Sequence, residues 1–322
     1  MKALQYVAEG KAEVAELPVP EIGDDEVLVA SRAVGVCHSD IDLLEGRYII
    51  PFSYPLIPGH EWAGEVVRVG PKVTGVAVGD RVVGECVIGA DHFGFSISGA
   101  DAEYFVAKAS WLHQIPEELS FSQGAFVEPF SVAYNATVAA DGIDASDSVA
   151  VIGGGPIGLL CALAASTMGA TVTLVEPQPH RRALGLEIGA RHVLDPTEGD
   201  LGAQAAEVTG GRGFDVVIEA AGAPAAMANA FPIAGHSARV VFVGIDVGGT
   251  APVQIGLVQS KALRVRGIIG SAGMWPRTIR FMATSGVDPA PLLTATFPLD
   301  QGMAALEAAR DTSRNVKVQI EC

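Results

Sequence analysis

Three short stretches of this chain carry side chains suited to metal chemistry. Residues 35–40 read Gly-Val-Cys-His-Ser-Asp, residues 59–61 read Gly-His-Glu, and residues 127–129 read Val-Glu-Pro. A thiolate, an imidazole and carboxylates together suit Zn²⁺. Three protein ligands with one open position suit a catalytic ion rather than a structural one. The candidate donors are Cys37, His60, Glu61 and Glu128. They are too far apart in sequence for a compact zinc signature. By residue type alone, a buried thiol, a core histidine and ion-paired acids stand as the plainer reading.

A second chemical motif lies further on. Residues 153–158, Gly-Gly-Gly-Pro-Ile-Gly, fit the pattern G-x-G-x-x-G. The apolar run Val149–Ile152 precedes them and a helical pattern follows, which is the context this motif requires. Gly153 permits a tight turn, Gly155 lets a pyrophosphate approach the backbone, and Gly158 lets helix and strand pack closely. Pro156 and Ile157 open the helix, whose first N–H groups would face the phosphates. Glu176 ends the next strand, 18 residues after Gly158. An acid there accepts hydrogen bonds from the adenosine ribose and repels a 2′-phosphate, which favours NAD over NADP. Arg181 and Arg182, just downstream, could offset part of that repulsion.

The elements that must position these groups follow two patterns. Up to about residue 118 the chain reads as short strands, Val27–Ala33, Ala63–Val69, Asp80–Val83 and Glu103–Val106, broken by Gly and Pro turns. From about residue 120 strands and helices alternate. A helix over Ser122–Asn135 is expected first. Strands are then expected at Ser148–Ile152, Thr171–Glu176, Asp215–Glu219, Arg239–Gly244 and Leu263–Ile268. Continuous apolar strands alternating with helices indicate a parallel sheet covered on both faces, so the fold class is α/β with a β-rich partner domain. The closing part is expected to hold helices near Trp275–Thr284 and Gln301–Ala309 and a strand at Asn315–Ile320.

Size and charge bound the function. A chain of 322 residues accommodates two domains. Its net charge of −16 disfavours nucleic acid and anionic membranes as partners. Four scattered cysteines argue against a disulfide framework, and no signal-peptide core or long apolar run is visible, so a cytoplasmic protein is expected.

Taken together, these segments resemble the zinc-dependent medium-chain dehydrogenase/reductases, in particular their polyol and threonine dehydrogenase branch. Gly35–Asp40, Pro58–Gly64, Val78–Val83, Ala102–Val106, Val127–Ala136, the glycine loop, Gly213–Gly222, Arg239–Gly244 and Asn315–Ile320 carry the likeness, in the family's order. The resemblance implies a GroES-like catalytic domain from residues 1–130 and 271–322, and a Rossmann domain from residues 131–270. It implies hydride transfer between NAD(H) and a secondary alcohol or polyol, or the matching carbonyl, with one catalytic zinc. Cys37 and His60 would be ligands. Glu61 and Glu128 would each bind the ion directly, through water, or from behind. Ser39 would relay the alcohol proton, and His38 would lie near the cofactor pyrophosphate. Asp40 would orient the metal loop. The family's habit is a homodimer or homotetramer, here through the segment Pro252–Ile268.

Two departures stand out. Residues 84–101 hold only Cys86, so a four-cysteine structural zinc is not expected. Asp42 stands where relatives often end the proton relay in a histidine, and a carboxylate titrates near 4 rather than about 6.5. Phe52, Tyr54, Trp62, Phe93, Phe95 and Trp275 are candidates for a substrate wall or for ordinary core. A zinc-free, NADP-dependent quinone or enone reductase and a catalytically silent nucleotide-binding protein are the rival readings.

Overall fold

The computed structural model describes residues 1–48, 50–271 and 273–322. The chain divides into two compact units. The first comprises Met1–Glu128, Trp275–Ala283 and Leu293–Cys322; the second comprises Pro129–Met274 and Thr284–Leu292.

In the second unit, the described residues form a six-stranded parallel sheet. Its spatial order is His192–Leu194, Thr171–Val175, Ser148–Ile152, Phe214–Glu219, Ala234–Phe242 and Arg264–Gly267. Numbered along the chain this is 3-2-1-4-5-6, the doubly wound dinucleotide-binding order. The central strands are buried on both faces: Val149, Ala150, Val151, Val172, Leu174, Val216 and Val217 have no measurable exposure. Helix Pro156–Thr167 is buried from Gly158 through Ala165, so nearly its whole surface is apolar core. Edge strand Arg264–Gly267 is exposed at every residue.

In the first unit, the long strand Glu26–Val36 is the organiser. It pairs antiparallel with Glu61–Val69, with Tyr104–Lys108 and with the C-terminal strand Lys317–Glu321. Two apolar clusters flank it. One gathers Val27, Val29, Val34, Trp62, Val66, Val82, Phe93 and Phe105. The other gathers Leu4, Tyr6, Val36, Ile41, Leu43, Leu306, Val318 and Ile320. The N-terminal strand, the helix His38–Leu44 and the last residues of the chain are thus knit into one core. Among the described residues, no helix is long and apolar enough to cross a membrane.

Two expectations need correction. The helix expected over Ser122–Asn135 is two, Phe121–Ala125 and Val127–Ala139, parted at Phe126. Ser120 caps the first reciprocally with Gln123, a signal a periodicity reading passes over. The strand expected at Arg239–Gly244 begins earlier, at Ala234. There Ala234 pairs with Phe214, and the register shifts before Arg239 pairs with Val216. Polar His236 and Ser237 hid that start, and Ser237 adopts φ +62°. Pairing with a neighbouring strand, not local pattern, extends the element.

Candidate active site

Cys37 closes strand Glu26–Val36 and caps helix His38–Leu44, while His60 and Glu61 open strand Glu61–Val69. The two strands are antiparallel, with Gly35 opposite Glu61, so their adjoining ends meet. Ligand atoms of Cys37, His60 and Glu61 all lie within 4.8 Å of one another. The pattern that sequence spacing could not supply is produced by strand register.

The trio is held from behind. Asp40 Oδ2 accepts the Cys37 N–H at 2.8 Å, and Asp40 Oδ1 lies 3.3 Å from His60 Nδ1. Asp40 therefore fixes the cysteine loop and sets a carboxylate oxygen in ionic contact with the imidazole Nδ1, on the side of the ring away from Nε2. Burial works against a charged His60, but the Asp40 carboxylate and the Cys37 sulfur outweigh it and raise its pKa. Metal binding here would compete with protons. The His60 loop is also tied to residues 99–101. Gly99 N–H donates to the Ile57 carbonyl at 2.7 Å, Ala100 N–H to that of Gly59 at 2.9 Å, and Asp101 N–H to that of Pro58 at 3.1 Å. Gly59 takes φ +96°, and a Cβ there would press on Asp101 and Val34.

Lys317, on the C-terminal strand, was not legible as a site residue. Its Nζ donates to Glu61 Oε1 at 2.8 Å and Oε2 at 2.5 Å, and both side chains are 3% exposed. Burial alone would lower its pKa, but Glu61 and the nearby Cys37 and Glu128 raise it. Gly35 lies on the strand between them, and a Cβ at that position would collide with the Glu61 carboxylate. This glycine is the opening through which Glu61 reaches the lysine.

Glu128 is half-buried beside the trio rather than within it. Cys86 Sγ lies 3.6 Å from its Oε1, and burial raises the Glu128 pKa, with His60 opposing and Glu61 adding to the rise. Cys86 thus faces the site, apart from the short hairpin of Val87–Ile88 with Asp91–His92 that follows it. Of the candidate aromatic walls, Phe95 packs on the His60 ring at 4.5 Å and stacks on Tyr48 at 4.6 Å. The Tyr48 hydroxyl is pushed up to about 12, chiefly by burial, so it stays protonated. Trp62 and Phe93 instead pack with Phe105 in the core, and Trp275 stacks on His113. Phe52 meets Tyr54 edge-on, and Tyr54 donates to the Leu43 carbonyl at 2.7 Å.

The remaining sequence candidates fall on the same short helix. Ser39 Oγ is buried without a hydrogen-bond partner. His38 is 74% exposed, and its Nε2 lies 3.9 Å from Asp42 Oδ1. Asp42 also accepts from Arg47 Nη2 at 2.9 Å, which spends part of its carboxylate on a local pair.

The glycine loop is built as its sequence requires. Gly153 has φ +101°, and Gly155 caps the helix that begins at Pro156 and Ile157, with open space where a Cβ would stand. A Cβ on Gly158 would strike the Gly153 carbonyl. The helix therefore presents unpaired N–H groups to an anion. Glu176 is 4% exposed, and its Oε2 accepts the Gly154 N–H at 2.6 Å.

The residues present fit a zinc ion: thiolate, imidazole and carboxylate converge, and the unsatisfied Ser39 hydroxyl is buried close by in sequence.

Comparison with known proteins agrees with this architecture. The zinc-binding dehydrogenase family profile matches residues 156–284, and the alcohol dehydrogenase GroES-like domain matches residues 23–117. The sorbitol dehydrogenase of Bacillus subtilis (strain 168) is 31% identical over 332 residues, covering 96% of this chain and 93% of that protein. The crystal structure of 2R,3R-butanediol dehydrogenase from Bacillus subtilis superposes with a TM-score of 0.92 at 29% identity, covering 100% and 99% of the two chains. A protein from Sinorhizobium meliloti 1021, solved with NADP bound, gives a TM-score of 0.91 at 29% identity, with 100% and 99% covered. The chain belongs to the zinc-binding, medium-chain alcohol dehydrogenase family, with a GroES-like domain and a Rossmann domain. It is an oxidoreductase of that class.

Proposed function

We propose that this protein oxidises a secondary hydroxyl of a polyol or related alcohol with NAD, or reduces the matching carbonyl, at one zinc ion. The observation that carries the reading is the convergence of Cys37, His60 and Glu61 within 4.8 Å, in a chain that also holds an intact glycine loop and strand-end acid. Cys37 and His60 hold the ion, with Glu61 as the third donor and Glu128 reaching it directly or through water. When bound, zinc supplies a Lewis acid for the substrate oxygen and the nicotinamide ring supplies the hydride acceptor.

The chain's own groups do the rest. Asp40 keeps His60 in one tautomer. Ser39 takes the substrate's hydroxyl proton and passes it outward, toward His38 and Asp42. The Tyr48–Phe95 stack forms an apolar wall against the His60 ring, and the half-buried carboxylate of Glu128 offers an acceptor to a neighbouring substrate hydroxyl. This acceptor is why a polyol fits better than a simple alcohol, matching the sorbitol and butanediol activities in the names of two relatives. Glu176 selects NAD by repelling a 2′-phosphate. The NADP found in one relative is the competing possibility.

The test is a screen of sugar alcohols, vicinal diols and simple secondary alcohols, run with NAD and with NADP on protein of measured zinc content. Reduced cofactor formed only with NAD, and fastest with a polyol, supports the proposal. Activity that is indifferent to zinc removal overturns it. Ser39→Ala should keep zinc yet lower kcat by on the order of 10²-fold, the usual share of one proton-transfer group. Unchanged kcat in that variant would take the relay away from Ser39.

The chain is proposed to act in the cytoplasm as a homodimer or homotetramer. Strand Arg264–Gly267 supports that, because a fully exposed sheet edge is a ready template for a second copy. Val265, Ile255 and Ile269, 43%, 66% and 76% exposed, extend the apolar surface beside it. Sedimentation velocity measures the state directly.

A further inference from the structure

The main chain of the turn Glu176–Pro177–Gln178 that follows strand Thr171–Val175 is gripped by one guanidinium. We infer that this side chain, Arg182, is a positioning residue that pins Glu176 and so sets the preference for a cofactor with a free 2′-hydroxyl. The inference rests on the NAD reading above.

Both oxygens of the Glu176 carboxylate are taken by backbone. Gly154 N–H donates to Oε2 at 2.6 Å, and Gln178 N–H donates to Oε1 at 2.8 Å. The first bond ties the acid to the glycine loop. The second is local and exists only while the turn keeps its shape. Arg182 sets that shape. Its Nη1 lies 2.8 Å from the Glu176 carbonyl, 2.7 Å from the Pro177 carbonyl and 2.7 Å from Asp195 Oδ2. Asp195 is itself fixed, because its Oδ1 accepts the Thr197 N–H at 2.9 Å and the Thr197 hydroxyl at 2.6 Å. One guanidinium therefore joins the strand end, the helix Pro179–Glu187 on which it sits, and the loop after His192–Leu194. The pair is well covered, with Arg182 18% and Asp195 11% exposed, so water screens it less than an open surface pair.

This geometry reverses the role that sequence position suggests for Arg182. A guanidinium beside the ribose-binding acid could receive a 2′-phosphate. Here it faces the opposite way, into two carbonyls and a carboxylate. Glu176 retains lone pairs for two ribose hydroxyls. To admit a phosphate dianion, its carboxylate would have to swing away and give up both backbone bonds. While Arg182 holds the turn, that swing is blocked. With the turn released, the acid can move, and discrimination falls.

The test compares binding of 5′-AMP and 2′,5′-ADP to the full-length enzyme by calorimetry, together with KM and kcat for NAD and NADP. Wild type should prefer 5′-AMP. Arg182→Leu should shrink the 5′-AMP to 2′,5′-ADP affinity ratio by about tenfold, and its loss with NAD should fall on KM rather than on kcat. Asp195→Ala, which releases the same anchor from its other end, should shift the ratio in the same direction. The double variant should do no more than Arg182→Leu alone, because Asp195 acts on the turn only through Arg182. Arg182→Lys, which keeps the charge with fewer donors, should lie between and serves if the leucine variant does not fold. An unchanged ratio, or an equal loss for both ligands, overturns the inference while leaving the NAD reading intact. A wild-type preference for 2′,5′-ADP overturns the NAD reading, and the inference with it.

Discussion

His60→Ala is expected to lose its zinc on dialysis and to lower kcat/KM by on the order of 10³-fold or more, since a metal Lewis acid contributes several kcal/mol at the reacting oxygen. The imidazole is 4% exposed, and it stands against Cys37 and Asp40. Its removal takes away one of three converging donors. It also takes away the group that offsets negative charge on two buried acids. Asp101 shows the effect: burial first, and Asp40 second, raise its pKa, while His60 alone pulls it down. The variant should therefore lose metal and also gain protons at that cluster. Cys37→Ser should follow the same course more mildly, since a hydroxyl is a weaker donor but keeps the shape. Zinc content by mass spectrometry, read beside kcat/KM, checks both. If both variants keep one equivalent of zinc, the ion is held elsewhere and the site assignment fails.

Lys317→Met is the second large effect expected, and it falls first on stability. Lys317 and Glu61 form a buried ion pair, each 3% exposed. Removing one partner of such a pair leaves an uncompensated charge and costs about 3–5 kcal/mol. Metal-free Lys317→Met should accordingly unfold at a lower urea concentration than metal-free wild type. Added zinc should recover more of that loss in the variant, because Glu61 then binds the ion beside Cys37 and His60 without Lys317 competing for its oxygens, and a ligand that binds only the folded state stabilises it. Lys317→Arg, which keeps the charge, should lose less. Equal urea midpoints for the metal-free proteins would show that the pair contributes nothing. An equal zinc response in both would show that Lys317 does not restrain Glu61.

Much of the Rossmann unit was legible because its chemistry is local. Gly153, Gly155 and Gly158 do their work within six residues, and the apolar strands Ser148–Ile152 and Thr171–Val175 appear where their continuous burial demands. Glu176 was legible as an acid at a strand end, but its hold on Gly154 and the inward turn of Arg182 were not. The first spans 22 positions of chain, and the second depends on Asp195, which a separate strand brings to the same place. Helix Val127–Ala139 carries Glu128 to Cys86, a contact across 42 positions of chain that no periodicity encodes.

Local order alone determined which residues could do chemistry here: a thiol after one strand, an imidazole and an acid opening another, and a glycine loop before a helix. Only the tertiary structure decided that Cys37, His60 and Glu61 meet, that Lys317 answers Glu61 across 256 positions, and that Arg182 serves the acid rather than a phosphate. The physical reason is strand register. Neighbouring strands pair Gly35 with Glu61 on one side and with Gln319 on the other, and such long-range pairings are set by the whole sheet and its packing, not by any single segment.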